Sequence, residues 1–195
     1  MPAPMPEPPP VVATTGTTLA YTENDGAVAI TSTLTISDVD DSQLESAVVA
    51  ITGNYITGQD LLSFTNQNGI SGSWNAATGE LTLTGSATVA QYQTALRSIT
   101  YTNSSDNPST ATRTVSFTVN DGDDNSNTQT RDITVASSND APIITGGSGT
   151  TSLIEIDNGL TDSGTFIVTD LDLTDDVTAA VDSVVVGGTG AASVP

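Results

Sequence analysis

The chain has 195 residues and a net charge of −20, because 23 acidic residues stand against three arginines and no lysine. It contains neither cysteine nor histidine, which excludes thiolate catalysis, Ser–His triads and ordinary zinc sites. The charge also argues against binding to nucleic acid or to an anionic membrane surface, and no segment is long and apolar enough for membrane insertion.

The first ten residues, MPAPMPEPPP, are rich in proline and predict an extended, semi-rigid linker over residues 1–10. They lack the basic and apolar regions of a signal peptide. An extracellular or cell-surface location would therefore require another export signal, such as one at the C-terminus, or a chain that is a fragment of a longer protein.

Beyond the linker, short segments rich in valine, isoleucine and threonine alternate with turns, which is typical of a β-sandwich. The predicted strands cover residues 27–36, 48–51, 61–65, 81–83, 99–101, 112–119 and 131–135. Trp74, the turn NAATGE and residues 81–83 predict a hairpin. In TVAQYQTALRSI, apolar residues recur at helical spacing, so we predict a short helix over residues 88–97.

An internal repeat divides the chain. The motifs YTENDG and LTISDVDD recur as LIEIDN and FIVTDLDL, each 132 positions later, and Pro10 and Pro142 show the same offset. We therefore predict one complete module over residues 11–138. Residues 139–195 are expected to be the first part of a second module, which stops before its core is complete.

Strand direction sorts the acidic residues of the first module into two ends. If strand 131–135 runs down toward the linker at residues 139–140, strand 112–119 runs up, so the turn NDGDDNSN lies at the upper end. Strand 99–101 then runs down, and strand 27–36 is assumed to run up. The upper end receives Asp38, Asp40, Asp41, Asp121, Asp123 and Asp124, and the lower end receives Glu23, Asp106 and Asn107.

The lower end of the first module, the linker and the upper end of the second module would then meet. Six oxygen-bearing side chains converge there: Glu23, Asp106, Asn139, Asp140, Asp170 and Asp172. Ca²⁺ takes six to eight oxygen ligands, and such carboxylates repel one another without a cation. The sequence therefore predicts a calcium site at the junction between modules.

These motifs resemble the cadherin-like modules of large secreted, RTX-type bacterial adhesins. The phrase FTVNDG, followed by a strand and NDAP, is typical of that group, and SGTFIVTDLDLTDDVTAAV resembles its VCBS repeats. The resemblance covers about residues 17–188 and implies an antiparallel immunoglobulin/cadherin-like β-sandwich with one short helix, followed by the start of a second sandwich. It also implies that calcium is bound between modules by Glu23, Asp38, Asp40, Asp121, Asp123, Asn139 and Asp140.

The resemblance further implies a mechanical function, in which calcium stiffens tandem modules that extend an adhesin from the cell. The expected partners are neighbouring modules of the same chain, with cell-surface or glycan ligands contacted by other domains. One departure is clear: the segment Glu7-Pro8-Pro9 stands where the repeat has Asn139-Asp140-Ala141. The upper end of the first module is therefore expected to lack linker ligands.

Other interpretations stay open. The chain could be a carbohydrate-binding module with Trp74 and Tyr55 facing the sugar, or a calcium-independent acidic spacer whose charge serves solubility. An enzyme is not expected, because no pair of carboxylates is marked by surrounding aromatic residues. Trp74 and Tyr92 are expected in the core. Four acidic residues are expected to be solvated surface, namely Asp60, Glu80, Asp162 and Asp182.

Overall fold

The computed structural model describes residues 7–148 and 165–172. The chain forms two compact units, Met1–Asn139 and Asp140–Pro195, which we call unit 1 and unit 2. The repeat motif at Glu155 and Asp157, the acidic residues Asp162 and Asp182, and most of the proline-rich segment lie outside the described residues.

The described part of unit 1 consists of short strands and one helix. In chain order they are β1 (Val11–Ala13), β2 (Leu19–Thr22), β3 (Val28–Ala29), β4 (Thr35–Ser37), β5 (Gln43–Gly53), β6 (Asp60–Ser63), β7 (Ser71–Asn75), β8 (Glu80–Thr88), α1 (Val89–Arg97), β9 (Thr100–Asn103), β10 (Arg113–Asn120) and β11 (Gln129–Ala136). In unit 2, β12 (Ile143–Ser148) pairs antiparallel with β13 (Thr165–Thr169).

Unit 1 is a β-sandwich. Its larger sheet has the strand order β2-β11-β10-β5-β8-β7, and its smaller sheets are β3-β9-β6 and β1-β4. The predicted all-β sandwich with one short helix is therefore confirmed. The neighbouring strands are antiparallel except for β2 and β11, which run parallel and in the same direction toward the linker.

Alternation of side chains explains why the long central strands form. In β5, Leu44, Ala47, Val49 and Ile51 are buried while their neighbours face outward. In β10, every second residue is buried, from Arg113 to Val119. Successive side chains of a strand point to opposite faces, so this period of two buries one face of the sheet. Residues from the larger and smaller sheets share one apolar core.

The helix α1 begins after Thr88, whose hydroxyl accepts a hydrogen bond from the Gln91 N–H, while the Gln91 side chain accepts one from the Thr88 N–H. This reciprocal capping box fixes the helix start. Tyr92, Ala95 and Leu96 bury one face, which confirms the predicted helix and the predicted core position of Tyr92. No helix among the described residues is long and apolar enough to cross a membrane.

The predicted strand over residues 27–36 is wrong. The structure divides it into β3, which pairs with β9, and β4, which pairs with β1. Between them, Nη1 of Arg131 donates to the Ile30 carbonyl and Nε of Arg97 donates to the Leu34 carbonyl. Arginine side chains thus satisfy main-chain acceptors that a continuous strand would have paired in a sheet.

The prediction that Asp60 is solvated is also wrong, because Asp60 is 3% exposed. Its carboxylate accepts hydrogen bonds from the Tyr101 hydroxyl at 2.6 Å, the Asn103 amide at 2.7 Å and the Ile56 N–H at 2.8 Å. Burial of a carboxylate is tolerated when it is paired and hydrogen-bonded in this way. Trp74 is half-buried and packs at the edge of the core.

Candidate metal site

Three chain segments meet at the upper end of unit 1. In the β1–β4 pair, Val11 lies opposite Ser37. The side chain of Asn127 accepts the Val12 N–H at 2.8 Å and donates to the Val12 carbonyl at 2.9 Å. The segment that enters β1, the loop after β4 and the loop between β10 and β11 are therefore held together.

The two loops at this end adopt the same local structure. Oδ1 of Asp38 accepts the N–H groups of Asp40 at 3.3 Å and Asp41 at 3.2 Å. Oδ1 of Asp121 accepts the N–H groups of Asp123 at 2.9 Å and Asp124 at 2.7 Å. An aspartate that bonds the main chain two residues on is a common turn element. It fixes one carboxylate oxygen and leaves the second available.

The carboxylates at the upper end interact electrostatically. The pKa of Glu7 is raised above its ordinary value chiefly by the negative charge of Asp41, and then by Asp123 and Asp40. The pKa of Asp40 is raised by desolvation and by the neighbouring carboxyl of Asp38. Oδ2 of Asp38 is shielded and has no hydrogen-bond partner among the described residues. The set that we call the upper carboxylate cluster comprises Glu7, Asp38, Asp40, Asp41, Asp121 and Asp123.

The three arginines of the chain donate hydrogen bonds elsewhere. Arg97 donates to the Leu34 carbonyl at 2.7 Å, Arg131 donates to the Thr17 carbonyl at 2.9 Å, and Arg113 pairs with Asp60. Because the chain has no lysine and no histidine, neutralisation of the upper carboxylate cluster falls to protons or to cations from solution.

At the lower end of unit 1, the parallel pairing of β2 and β11 brings Glu23 beside the outgoing chain. The Glu23 N–H donates to the Ala136 carbonyl at 3.0 Å, and Oε1 of Glu23 accepts the Ser138 N–H. Glu23 is 3% exposed, and its Oε2 has no hydrogen-bond partner among the described residues. Glu23 therefore holds the start of the linker through one carboxylate oxygen, and its second oxygen makes none of the described hydrogen bonds.

Asp106 belongs to the same end of unit 1 but is not joined to Glu23. It lies exposed in the connection between β9 and β10, and none of the described hydrogen bonds links the two side chains. Asn139, the last residue of unit 1, is also exposed.

In unit 2, the residues of the motif Asp170-Leu171-Asp172 hold the other side of the linker. The Asp172 carboxylate accepts the Asp140 N–H, and the Asp172 N–H donates to Oδ1 of Asp170 at 3.1 Å. Asp172 is 8% exposed. Within this unit, the repeated aspartate loop therefore contacts the segment that enters the module, as the loop after β4 meets the entering segment in unit 1.

Glu7 was not predicted as a site residue. The upper end of unit 1 was expected to lack linker ligands, because Asn139-Asp140 is replaced there by Glu7-Pro8. The structure places the Glu7 carboxylate close enough to Asp41 and Asp123 to shift its pKa. The signal was present in the repeat itself, since Glu7 lies 132 positions before Asn139 and so occupies the equivalent position.

No protein-family model matches this chain. A segment of the chain is 37% identical over 91 residues to Halomucin of Haloquadratum walsbyi, in an alignment that covers 44% of this chain and 1% of Halomucin. This chain thus resembles a small part of a very large protein.

Proposed function

We propose that this chain is a structural, calcium-binding part of a very large extracellular or cell-surface protein, and that it is not an enzyme. The observation that carries the proposal is the upper carboxylate cluster, in which two aspartate turns and Glu7 bring six carboxylates to one end of a rigid sandwich. Ca²⁺ prefers six to eight oxygen ligands in flexible geometry, which such loops supply through carboxylates, main-chain carbonyls and water.

Electrostatics favours a bound cation over a simply solvated cluster. The pKa of Glu7 is raised chiefly by the neighbouring carboxylates, and the pKa of Asp40 is raised chiefly by desolvation and then by Asp38, so the cation-free cluster disfavours the charged form of both groups. No arginine relieves it. A divalent ion that binds the folded state would convert this repulsion into attraction and stabilise the fold by mass action.

The repeat extends the proposal to the junction between modules. The positions of Glu7, Asp38 and Asp40 correspond to those of Asn139, Asp170 and Asp172, at the same offset of 132. Glu23 binds the Ser138 N–H in unit 1, and Asp172 binds the Asp140 N–H in unit 2. One residue separates Ser138 from Asp140. We propose that Asp140, Asp170 and Asp172 bind a calcium ion at the start of unit 2.

The resemblance to cadherin-like and VCBS modules suggests what calcium binding would do in the protein. Calcium at each junction would hold tandem sandwiches at a fixed angle, so that the chain acts as an extender in an adhesin. The similarity to a small part of Halomucin supports a place within a very large protein. The proposed partners are the neighbouring modules, while adhesion to cells or glycans is left to other parts of the protein.

A thermal melt of this chain tests the proposal in three conditions: Ca²⁺, a chelator, and Mg²⁺ as the control ion. A ligand at a hundredfold excess over its Kd stabilises by about 2.7 kcal/mol. That free energy corresponds to roughly 5–10 °C for a chain of this size. Asp121→Asn should reduce the rise, whereas Asp132→Asn, an exposed carboxylate on β11, should leave it unchanged. Identical melts in all three conditions would support the acidic spacer instead.

A further inference from the structure

A cleft of about 220 Å³ opens at the lower end of unit 1 and is not part of the carboxylate sites. Its walls come from the connection between β5 and β6, the turn between β7 and β8, and the strand β9. Its aromatic lining is Tyr55 and Trp74, and its polar lining includes Gln59, Thr102 and Ser104. Pockets that bind small molecules combine such apolar walls with a few fixed polar groups.

The two aromatic rings are held in place before any ligand arrives. The Tyr55 hydroxyl donates to the Ala76 carbonyl at 2.6 Å. One face of the Tyr55 ring lies on Gly79, where a Cβ would approach the ring to 2.8 Å. The Tyr55 and Trp74 centroids are 6.1 Å apart with planes at 78°, so the rings form a corner. Such rigidity lowers the entropic cost of binding.

The polar side of the cleft offers hydrogen-bonding groups. Oε1 of Gln59 is shielded and has no hydrogen-bond partner among the described residues. The Ser104 hydroxyl donates to the Gly58 carbonyl at 3.2 Å, which leaves its lone pairs as acceptors. Because Oε1 of Gln59 is shielded, a ligand in the cleft would hydrogen-bond to Thr102 and Ser104 instead.

We propose that this cleft binds one neutral hexose unit of a glycan. A pyranose presents an apolar C–H face, which suits the aromatic corner, and hydroxyl groups at its rim, which suit Thr102 and Ser104. The cleft volume of about 220 Å³ is small for a ligand pocket and limits the ligand to about one sugar ring. The net charge of −20 disfavours anionic sugars.

The chain contains a single tryptophan, so Trp74 emission reports on this cleft alone. We expect titration of the whole chain with glucose, galactose, mannose or N-acetylglucosamine to change the emission saturably at millimolar concentration for at least one sugar. A glycan array should select neutral glycans ending in that sugar. The carboxylate that lines the cleft, Asp60, is paired with Arg113 and belongs to neither proposed calcium site. Sugar binding should therefore persist when calcium is chelated, which separates this proposal from the calcium sites.

Two variants alter the cleft but keep Trp74, whose emission reports binding. Ser104→Ala removes an acceptor that lines the cleft and should weaken binding about fivefold, since one hydrogen bond contributes roughly 1 kcal/mol. Tyr55→Ala removes one wall and should abolish binding, with melting curves showing that the variant is folded. Ser71→Ala, at an exposed serine on β7, is the matched control. Unchanged emission with every sugar and a blank array would overturn the proposal, as would full affinity in both cleft variants.

Discussion

Nε of Arg113 lies 3.3 Å from the Asp60 carboxylate, and neither side chain is exposed to solvent. Nη1 of Arg113 also donates to the Ala111 carbonyl at 2.7 Å, while Tyr101 and Asn103 donate to Asp60. The pair ties β6 and β9 of the smaller sheet to β10 of the larger one. It is therefore a polar contact that crosses the core of unit 1.

We expect Asp60→Ala to destabilise unit 1 by about 3–5 kcal/mol, because removal of one partner leaves a buried guanidinium uncompensated. Urea denaturation followed by Trp74 emission measures the change in the free energy of unfolding. Asp132→Ala, which removes an exposed carboxylate, should cost less than about 1 kcal/mol. A loss in Asp60→Ala no larger than that control would mean that the pair contributes little.

This buried pair could not be predicted from the sequence. Asp60 follows the turn TGQ and precedes a short apolar run, and a carboxylate in that position is solvated in most proteins. Only the tertiary structure brings Arg113, 53 positions later, to the same place. The hairpin around Trp74 and the helix after Thr88 were predicted correctly, because both depend on residues within a dozen positions of one another.

Glu7 should make the calcium-free protein more stable in mild acid. Its pKa is raised from 4.5 in the folded chain, so the folded state binds the proton more tightly than the unfolded state. The resulting stabilisation is fully present below 4.5 and is lost as the pH rises through the raised pKa. In chelator, melts across this pH range should therefore show a smaller pH dependence for Glu7→Gln than for the natural chain.

Ionic strength and bound calcium provide controls for the pH dependence attributed to Glu7. The side chain is exposed, so the difference between Glu7→Gln and the natural chain should shrink at high ionic strength. With calcium bound, the stability should instead fall in mild acid, because protonation of the carboxylates removes ligands from the ion. Equal pH dependence of the two proteins in chelator at low salt would show that Glu7 lies too far from the aspartates to matter.

Two buried tyrosines should set the alkaline limit of stability. Burial, aided by the charge of Glu45, raises the pKa of Tyr92 to about 12. Burial and the hydrogen bond to Asp60 raise the pKa of Tyr101 further. Each contributes stability that is lost as the pH rises above the ordinary value of 10.0.

Tyrosinate absorbance recorded together with the unfolding signal tests this limit. The buried tyrosines should ionise only as the protein unfolds, and Tyr92→Phe should move the alkaline midpoint upward. A midpoint that is unaffected by this substitution would assign alkaline unfolding to other groups. Exposed lysines, the usual complication, are absent from this chain.

The two-ended distribution of carboxylates was expected from strand directions, which were counted back from strand 131–135 for the later strands and assumed to be upward for residues 27–36. Asp121 and Asp123 lie with Asp40 at one end, as expected, and Glu23 lies at the other. The contact between Glu23 and Ser138 was not accessible in this way. It depends on the parallel pairing of β2 with β11, across more than a hundred positions, and local pattern carries no information about such a pairing.

The proposed calcium ligands at the junction can be tested by substitution. Asp140→Asn and Asp170→Asn each remove one negative charge from the proposed ligand set while preserving size. We expect calcium affinity, measured by titration calorimetry, to fall about tenfold in each variant for the junction ion, because a calcium site depends on its number of charged ligands. The upper carboxylate cluster lies apart in sequence and should keep its own ion.

The same variants distinguish a lost ligand from a damaged fold. The melting temperature in chelator should be no lower than that of the natural chain, because each variant removes one repelling charge, and Trp74 emission should show that unit 1 remains folded. Asp132→Asn serves as the charge-matched control, since it removes one carboxylate from an exposed strand position. Unchanged affinity in both junction variants would remove Asp140 and Asp170 from the site. Calcium stabilisation would then have to come from the upper carboxylate cluster alone, and the linker would be held by Glu23 and Asp172 through hydrogen bonds without an ion.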